Sequence, residues 1–172
     1  ARENVLTNIF RILEDGRKYG VEVEYIKEVF SKGTMDSLRL LKGRINTNFL
    51  VVFGDVVFDI DLNKLWEAHI KNMGTATLTL ESYDKPGEKG VVQLEGNQIV
   101  DFVQKPKNFK SYIAFVPLFF CGPEIFEYNG NSLEDDVFPK LAKEGMLFGY
   151  ITSGWNRHMH TKKDLKEIKR KF

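Results

Sequence analysis

One stretch in the middle of the chain limits the possible folds more than any other. Residues 48–62 read NFLVVFGDVVFDIDL, with an apolar run from Phe49 to Phe53 that stops at Gly54 and Asp55. Because an apolar run without alternation is typical of a strand buried on both faces, we expect a parallel strand between layers of helices. Ligands bind beyond the carboxyl ends of such strands, so Asp55 is a candidate for holding a metal ion or a polar ligand.

The same residues also fit a purely structural role. Gly54 and Asp55 are common turn residues, and Asp61 is a suitable N-cap for a helix that begins at Leu62. In this interpretation the stretch contains a turn and a helix cap but no ligand site. Both interpretations remain open from these residues alone.

The composition excludes several classes of protein. The chain has 172 residues and no shift in composition along its length, so we expect residues 1–172 to form a single domain. Its 25 Lys and Arg residues nearly balance 24 Asp and Glu residues, which argues against binding to nucleic acid or to a membrane surface. With one cysteine, no long apolar run and no signal-peptide pattern, we expect a soluble, cytoplasmic protein without an internal disulfide.

The periodicity of apolar residues predicts helices and strands in the mixed order of an α/β fold. Gly96 and Asn97 separate two short alternating runs, which predicts a hairpin, and Pro117 predicts a bulge or an edge position in its strand. His69 lies beside the apolar face of a helix and is more typical of a packed side chain than of a ligand. Helices are predicted at residues 3–14, 35–41, 62–73, 134–143 and 163–171, with a helical turn at 124–128, and strands at 21–25, 49–53, 75–81, 91–94, 99–103, 112–120 and 147–151.

A series of motifs follows the predicted elements along the chain: Asp15-Gly16, VEVEYI, the Gly33-Thr34 loop, NFLVVFGD, the hairpin, Gln104-Lys105-Pro106, FPKLAKEGMLFGY and the tail GWNRHMHTKKDLKEI. In this order, the motifs resemble the sugar-phosphate nucleotidyltransferases, which join a nucleoside triphosphate to a sugar 1-phosphate and release pyrophosphate. The tail is most similar to the GFWxxMDTxRD ending of the glucose-1-phosphate cytidylyltransferase branch. The resemblance implies a Rossmann-like α/β fold of the nucleotide-diphospho-sugar transferase type, with a mixed, mostly parallel sheet flanked by helices.

The resemblance also implies a divalent metal ion. Asp55 matches the strand-end aspartate that holds the metal, and His160 stands where the family has a second metal-binding aspartate. The resemblance implies Mg²⁺, whereas the imidazole of His160 would also suit Mn²⁺.

The resemblance also implies which residues of this chain bind the substrates. Gly33 and Thr34 match the start of the GTAG loop near the nucleotide and the sugar, and Lys105 matches the EKP lysine that grips the sugar phosphate. Gln104 replaces the glutamate of EKP and is expected to bind a sugar hydroxyl group. The implied partners are a nucleoside triphosphate and a sugar 1-phosphate, with glucose 1-phosphate favoured by the tail.

The chain also departs from the family pattern. It has no counterpart of the first strand and the GGxGTRL loop, and residues 33–36 read GTMD instead of GTAG. We therefore expect an N-terminally truncated domain with impaired activity, and an open sheet edge that favours a homo-oligomer.

Two alternatives to an active nucleotidyltransferase remain open at this stage. The first is a catalytically inactive relative that binds a nucleotide sugar or a partner subunit. The second is a GT-A-type glycosyltransferase that uses Asp59 and Asp61 as a metal-binding Asp-x-Asp motif.

Overall fold

The computed structural model describes residues 3–108, 110–159 and 161–170. Its helices are α1 (Glu3–Leu13), α2 (Thr34–Arg39), α3 (Leu62–Asn72), α4 (Phe138–Lys143) and α5 (Lys162–Ile168). Its strands are β1 (Phe49–Val52), β2 (Val56–Asp59), β3 (Ala76–Ser82), β4 (Gly90–Glu95), β5 (Gln98–Gln104), β6 (Ile113–Cys121), β7 (Leu147–Ile151) and β8 (Trp155–His158). Short 3₁₀ turns occur at Arg17–Tyr19, Pro86–Glu88 and Pro123–Glu127, and a π-helical turn at Leu133–Val137 precedes α4.

Six of the strands form one sheet, in the order β1-β6-β3-β7-β5-β4, and β2 pairs with β8 in a separate ribbon. Successive side chains of a strand point to opposite faces, so the sheet has apolar side chains on both. One face packs against α2 and α4 through a large cluster that includes Met35, Leu78, Phe119 and Phe138. A smaller cluster places Leu65 of α3 against the other face. The predicted α/β fold with a sheet flanked by helices is therefore confirmed.

The prediction of a mostly parallel sheet is wrong for these residues. Only the pairing of β3 with β7 is parallel, and every other pairing in the sheet is antiparallel. The cause is the position of β6, which lies between β1 and β3 and runs opposite to both. Strands β1, β3 and β7 nevertheless run in one direction, so their carboxyl ends share one end of the sheet.

The prediction that the apolar run at residues 49–53 is buried on both faces is also wrong. Strand β1 lies at the edge of the sheet, its residues are half-buried or exposed, and 43% of the surface of Val52 is accessible to solvent. An apolar run indicates a strand but not which strands lie beside it, so the edge position of β1 could not be predicted from residues 49–53. The expected homo-oligomer stays a prediction.

Residues 21–25 do not form the predicted strand. The segment has no strand pairing within the described chain, and it is held instead by Val23 N donating to Asp15 O at 2.9 Å and by Tyr25 Oη donating to Glu14 O at 2.6 Å. Alternation predicts an extended segment with one apolar side, but a strand also needs a neighbouring strand to bond with.

Most other predictions from local sequence are confirmed. Strands β4 and β5 form the expected hairpin, and Asp61 Oδ1 caps α3 by accepting from Asn63 N at 3.1 Å and Lys64 N at 3.2 Å. The pairing of β3 with β6 shifts its register opposite Pro117, which confirms the predicted bulge in a central strand. No helix in the described part of the chain is long and apolar enough to cross a membrane.

Candidate functional site

Asp55 lies directly beyond the end of β1, at the end of the sheet where β3 and β7 also end. Its main chain is fixed by the β2–β8 ribbon, in which Val56 pairs with His158 and Met159 N donates to Asp55 O at 2.7 Å. His158 Nδ1 lies 3.9 Å from Asp55 Oδ2, within range of an ion pair when the imidazole is protonated. The Asp55 side chain is 46% exposed, so its carboxylate remains accessible to a ligand.

An open cavity of about 500 Å³ adjoins Asp55 on one side, and we call it the Asp55 cavity. Its walls come from β1, α2 and the turn before α4, and they are mostly apolar. Thr34 lies at this cavity, which brings one predicted substrate residue to the same depression as Asp55. The apolar side chains that line it are Leu38, Leu41, Val51, Phe53 and Leu133.

The Gly33-Thr34 loop is anchored to the π-helical turn. Thr34 Oγ1 donates to Glu134 Oε2 at 2.6 Å and accepts from Leu133 N at 2.8 Å, and Glu134 is buried. A Cβ atom at Gly33 would lie 2.5 Å from Asn131 O, so only glycine allows this close contact. The loop therefore has a fixed position, next to a type of turn that is frequent at functional sites.

A second cavity, of about 420 Å³, lies beyond the end of β3, and we call it the Glu81 cavity. It is lined mainly by polar side chains: Glu81, Tyr83, Lys89, Asn156, Arg157 and His158. His158 lies between the two cavities, because it lines the Glu81 cavity and its ring also approaches Asp55.

Gln104 and Lys105 lie beside the Glu81 cavity. Gly90 pairs with Gln104 in the β4–β5 hairpin, and Lys105 N donates to the main-chain oxygen of Lys89 at 2.9 Å. Lys105 adopts a left-handed backbone conformation with φ of 45°, and its side chain is exposed. The structure thus brings Gln104 and Lys105 to one end of the sheet with Asp55.

The amide oxygen of Gln104 is buried and has no hydrogen-bond partner among the described residues. A Cβ atom at Gly90 would lie 3.0 Å from this oxygen and 2.4 Å from the ring of Phe102. A buried acceptor without a partner is unusual in a folded protein and needs a donor from a ligand or from water.

The donor set at Asp55 fits a metal ion only in part. Within residues 3–108, 110–159 and 161–170, no three His, Cys, Asp or Glu side chains converge on one point. Mg²⁺ is commonly bound by one or two carboxylates together with substrate phosphates, and a single carboxylate at Asp55 fits that mode. His160 lies outside the described residues, so its predicted role as a second ligand stays a prediction.

His69 has the packed role that the sequence predicted. Its ring is buried, stacks on Phe120, and places Nδ1 3.1 Å from Thr77 Oγ1. Burial lowers the pKa of His69, and the nearby Glu124 carboxylate only partly offsets this effect.

Sequence reasoning missed the residues that line the Glu81 cavity. Glu81, Lys89 and Asn156 come from three separate segments, and each looks like an ordinary surface residue in its local context. His158 was missed as well, because only the pairing of β8 with β2 brings it next to Asp55.

Comparisons with known proteins identify the family of the chain. A family model described as nucleotidyl transferase matches residues 3–163. The mannose-1-phosphate guanyltransferase 2 of Candida glabrata is 29% identical over 148 residues, which are 81% of this chain and 41% of that protein. The bifunctional protein GlmU of Methanococcus aeolicus is 28% identical over 145 residues, which are 78% of this chain and 34% of that protein.

A solved structure has a similar fold. A crystal structure of a Bacillus anthracis protein, described as a glucose-1-phosphate thymidylyltransferase in complex with a sucrose, superposes with a TM-score of 0.84. It is 23% identical, and the match covers 94% of this chain and 69% of that one. The chain spans less than half the length of the curated relatives it matches. With the family model matching nearly its whole length, the chain belongs to the nucleotidyl transferase family.

Proposed function

We propose that this site joins a nucleoside triphosphate to a sugar 1-phosphate, giving a nucleoside diphosphate sugar and pyrophosphate. The observation that carries the proposal is the position of three residues at one end of the sheet: Asp55 at the Asp55 cavity, and Gln104 and Lys105 next to Gly90 and Lys89. The names of the relatives, which are sugar-1-phosphate guanyltransferases among others, support the same reaction class.

In this reaction an oxygen of the sugar 1-phosphate attacks the α-phosphorus of the nucleotide. The bond from that phosphorus to the bridging oxygen breaks, and pyrophosphate leaves with its electron pair. Protein groups contribute mainly by positioning and by balancing charge, because no covalent intermediate is needed. Asp55 would hold a divalent cation, which would neutralise charge on the phosphates.

Each residue then has one task. The Lys105 ammonium binds the phosphate of the attacking sugar phosphate, where it both orients the nucleophile and offsets its charge. Gln104, which matches the first residue of the EKP motif, binds a sugar hydroxyl group. Thr34, which follows Gly33 in the same loop, borders the Asp55 cavity, where we place the nucleotide.

We propose glucose 1-phosphate as the sugar substrate, because the tail GWNRHMHTKKDLKEI resembles that of the glucose-1-phosphate cytidylyltransferases. The relatives from Candida glabrata and Saccharomyces cerevisiae are named for mannose 1-phosphate. Mannose 1-phosphate is therefore the competing substrate in the assay below.

One observation favours a second candidate, a non-catalytic relative that binds nucleotide sugars. The main-chain amides at the start of α2, Met35 N and Asp36 N, both donate to Asn131 O, at 2.8 and 3.2 Å. Amides at a helix start can bind phosphate, but these two are already engaged. In this case the chain would bind a nucleotide sugar without releasing pyrophosphate.

The deciding experiment measures pyrophosphate release by the purified chain, with each of the four nucleoside triphosphates, glucose or mannose 1-phosphate, and Mg²⁺ or Mn²⁺. Lys105→Ala should lower the rate by at least a hundredfold, the order of effect expected when a positioned cation at a reacting phosphate is lost. Lys107→Ala is the matched control, because Lys107 is another exposed lysine two residues away.

Pyrophosphate release that needs Lys105 but not Lys107 would support the proposed reaction. Equal rates for the two variants would refute the role of Lys105. Binding of a nucleotide sugar by folded protein, without any release, would favour the non-catalytic relative.

A further inference from the structure

The wall of the Glu81 cavity contains an ion pair that the proposed reaction leaves without a role. Lys89 Nζ donates to Glu81 Oε1, and the two side chains are only 14% and 19% exposed. Asn156 Nδ2 donates to Glu81 Oε2 at 2.6 Å, so a second segment of the chain fixes the same carboxylate. Burying two charged groups costs free energy, because both lose their hydration. An ion pair this well shielded from solvent is stable only when good geometry and further hydrogen bonds offset that cost.

Tyr83 fixes the other member of the pair. The Lys89 ammonium lies 4.1 Å from the centre of the Tyr83 ring, and Tyr83 Oη donates to Glu88 Oε2 at 3.1 Å. The ammonium is therefore held between a carboxylate and an aromatic face, which is a favourable place for a cation. Neither charged group is free to swing out of the cavity wall without losing these contacts.

Both groups keep hydrogen-bonding capacity that these contacts do not use. A carboxylate has about four acceptor sites, and two protein donors bond to that of Glu81. An ammonium has three donors, of which one is used by Glu81. Because both residues line the cavity, an acceptor and a donor lie side by side in its wall.

The pattern matches the chemistry of a sugar ring. A ring with neighbouring hydroxyl groups offers a donor and an acceptor side by side, and it carries no charge that would compete with the ion pair. Lys89, which lines the cavity, accepts a hydrogen bond at its main-chain oxygen from the nitrogen of Lys105, our candidate for binding the sugar phosphate.

We infer that Glu81 and Lys89 determine which sugar the site accepts, with Glu81 accepting from the 2-hydroxyl group, where glucose and mannose differ, and Lys89 donating to its neighbour. The inference rests on the proposed function, because it concerns the sugar half of that same site. A site built to bond a hydroxyl group rejects strongly any analogue that cannot supply it, since its own polar groups are then left unpaired.

The test compares the binding of glucose 1-phosphate, mannose 1-phosphate and inorganic phosphate to the full 172-residue chain, by NMR titration. Glu81→Gln keeps the shape of the side chain and removes its charge, and the double variant Glu81→Gln with Lys89→Met removes both charges together. The second variant leaves no unpaired charge in the wall, so it keeps the test valid if Glu81→Gln alone fails to fold. Glu95→Gln, at an exposed hairpin position, is the matched control.

We expect the ratio of the two sugar-phosphate dissociation constants to change about tenfold in the folded variants, the effect of losing one charge-assisted hydrogen bond. Binding of inorganic phosphate should stay within about twofold of the wild type, because Lys105 is untouched. A purely structural role of the ion pair would weaken both sugar phosphates equally and leave the ratio unchanged.

The outcomes separate this inference from the proposed function. If the wild type binds both sugar phosphates and the variants keep its ratio, the specificity role is refuted and the proposed function survives. If folded wild type binds neither sugar phosphate, the proposed function fails, and the inference fails with it.

Discussion

The Thr34 hydroxyl group joins the Gly33-Thr34 loop to the π-helical turn, and its removal should destabilise the protein far more than its size suggests. Thr34→Val keeps the shape of the side chain and removes the oxygen that bonds to Glu134 and to Leu133 N. Glu134 is 8% exposed, so water cannot easily replace the lost donor.

The magnitude follows from the two bonds. Losing a hydrogen bond to a charged acceptor costs about 1.5–3 kcal/mol, and leaving Leu133 N without a partner costs about 1–3 kcal/mol. Ser132 Oγ still donates to Glu134 at 3.2 Å and limits the first of these costs. We therefore expect the free energy of unfolding to fall by roughly 3–5 kcal/mol.

Urea unfolding followed by far-UV circular dichroism measures this change. With a denaturant slope of about 2 kcal/mol per molar, the midpoint should fall by roughly 1.5–2.5 M. Thr47→Val is the control, because Thr47 is exposed and should change the midpoint little. Glu134→Gln and the double variant complete a cycle in which we expect a coupling energy of about 1–3 kcal/mol. Equal midpoints for the Thr34 and Thr47 variants would refute the reasoning.

Two further predictions concern buried titratable groups. Burial lowers the pKa of His69 below its ordinary value of 6.5, so the unfolded chain binds more protons than the folded chain near and below that pH. The free energy of unfolding should then fall as the pH drops from 7.5 to 5. The urea midpoint of His69→Gln should depend less on pH than that of the wild type. The same pH dependence in both proteins would refute this role of His69. Burial also raises the pKa of the Cys121 thiol, so folded protein should react with a thiol reagent at least a hundredfold more slowly than urea-unfolded protein. Rapid labelling of the folded chain would show that Cys121 is not buried.

Local chemistry made part of the fold predictable. Gly96 and Asn97 indicated the hairpin, Asp61 indicated the start of α3, and Pro117 indicated the bulge in β6. Each of these depends on residues close together in the sequence. The backbone preferences of glycine, aspartate and proline hold in any fold, so such features can be read without knowing the rest of the chain.

The arrangement of the strands was not predictable in the same way. Nothing in residues 49–53 indicates that β6 would pair with them in the antiparallel sense, because the apolar content of a strand says how deeply it is buried and not which strand it bonds. For the same reason the alternation at residues 21–25 predicted a strand that found no neighbour among the described residues.

The same distinction applies to the candidate site, because some of its residues could be named from the sequence and others could not. Asp55, Gln104 and Lys105 were named through resemblance to a family, and the fold brings them to one end of the sheet. Glu81 and Asn156, 75 positions apart, were not named, because only the folded chain places them within hydrogen-bond distance.

Asp55 is attached to the β2–β8 ribbon, which we expect to open locally more often than the six-stranded sheet. The ribbon has only two strands of four residues each, and it is separate from the six-stranded sheet. Two-stranded ribbons are marginally stable on their own, so the amide protons of Val56 to Phe58 should exchange with solvent through local opening, long before those of β3 and β6. Asp55 would then lie on a part of the chain that unfolds and refolds many times for each global unfolding event. A ligand that bridges Asp55 to the rest of the site would slow that exchange, which makes hydrogen exchange of the ribbon a sensitive reporter of occupancy.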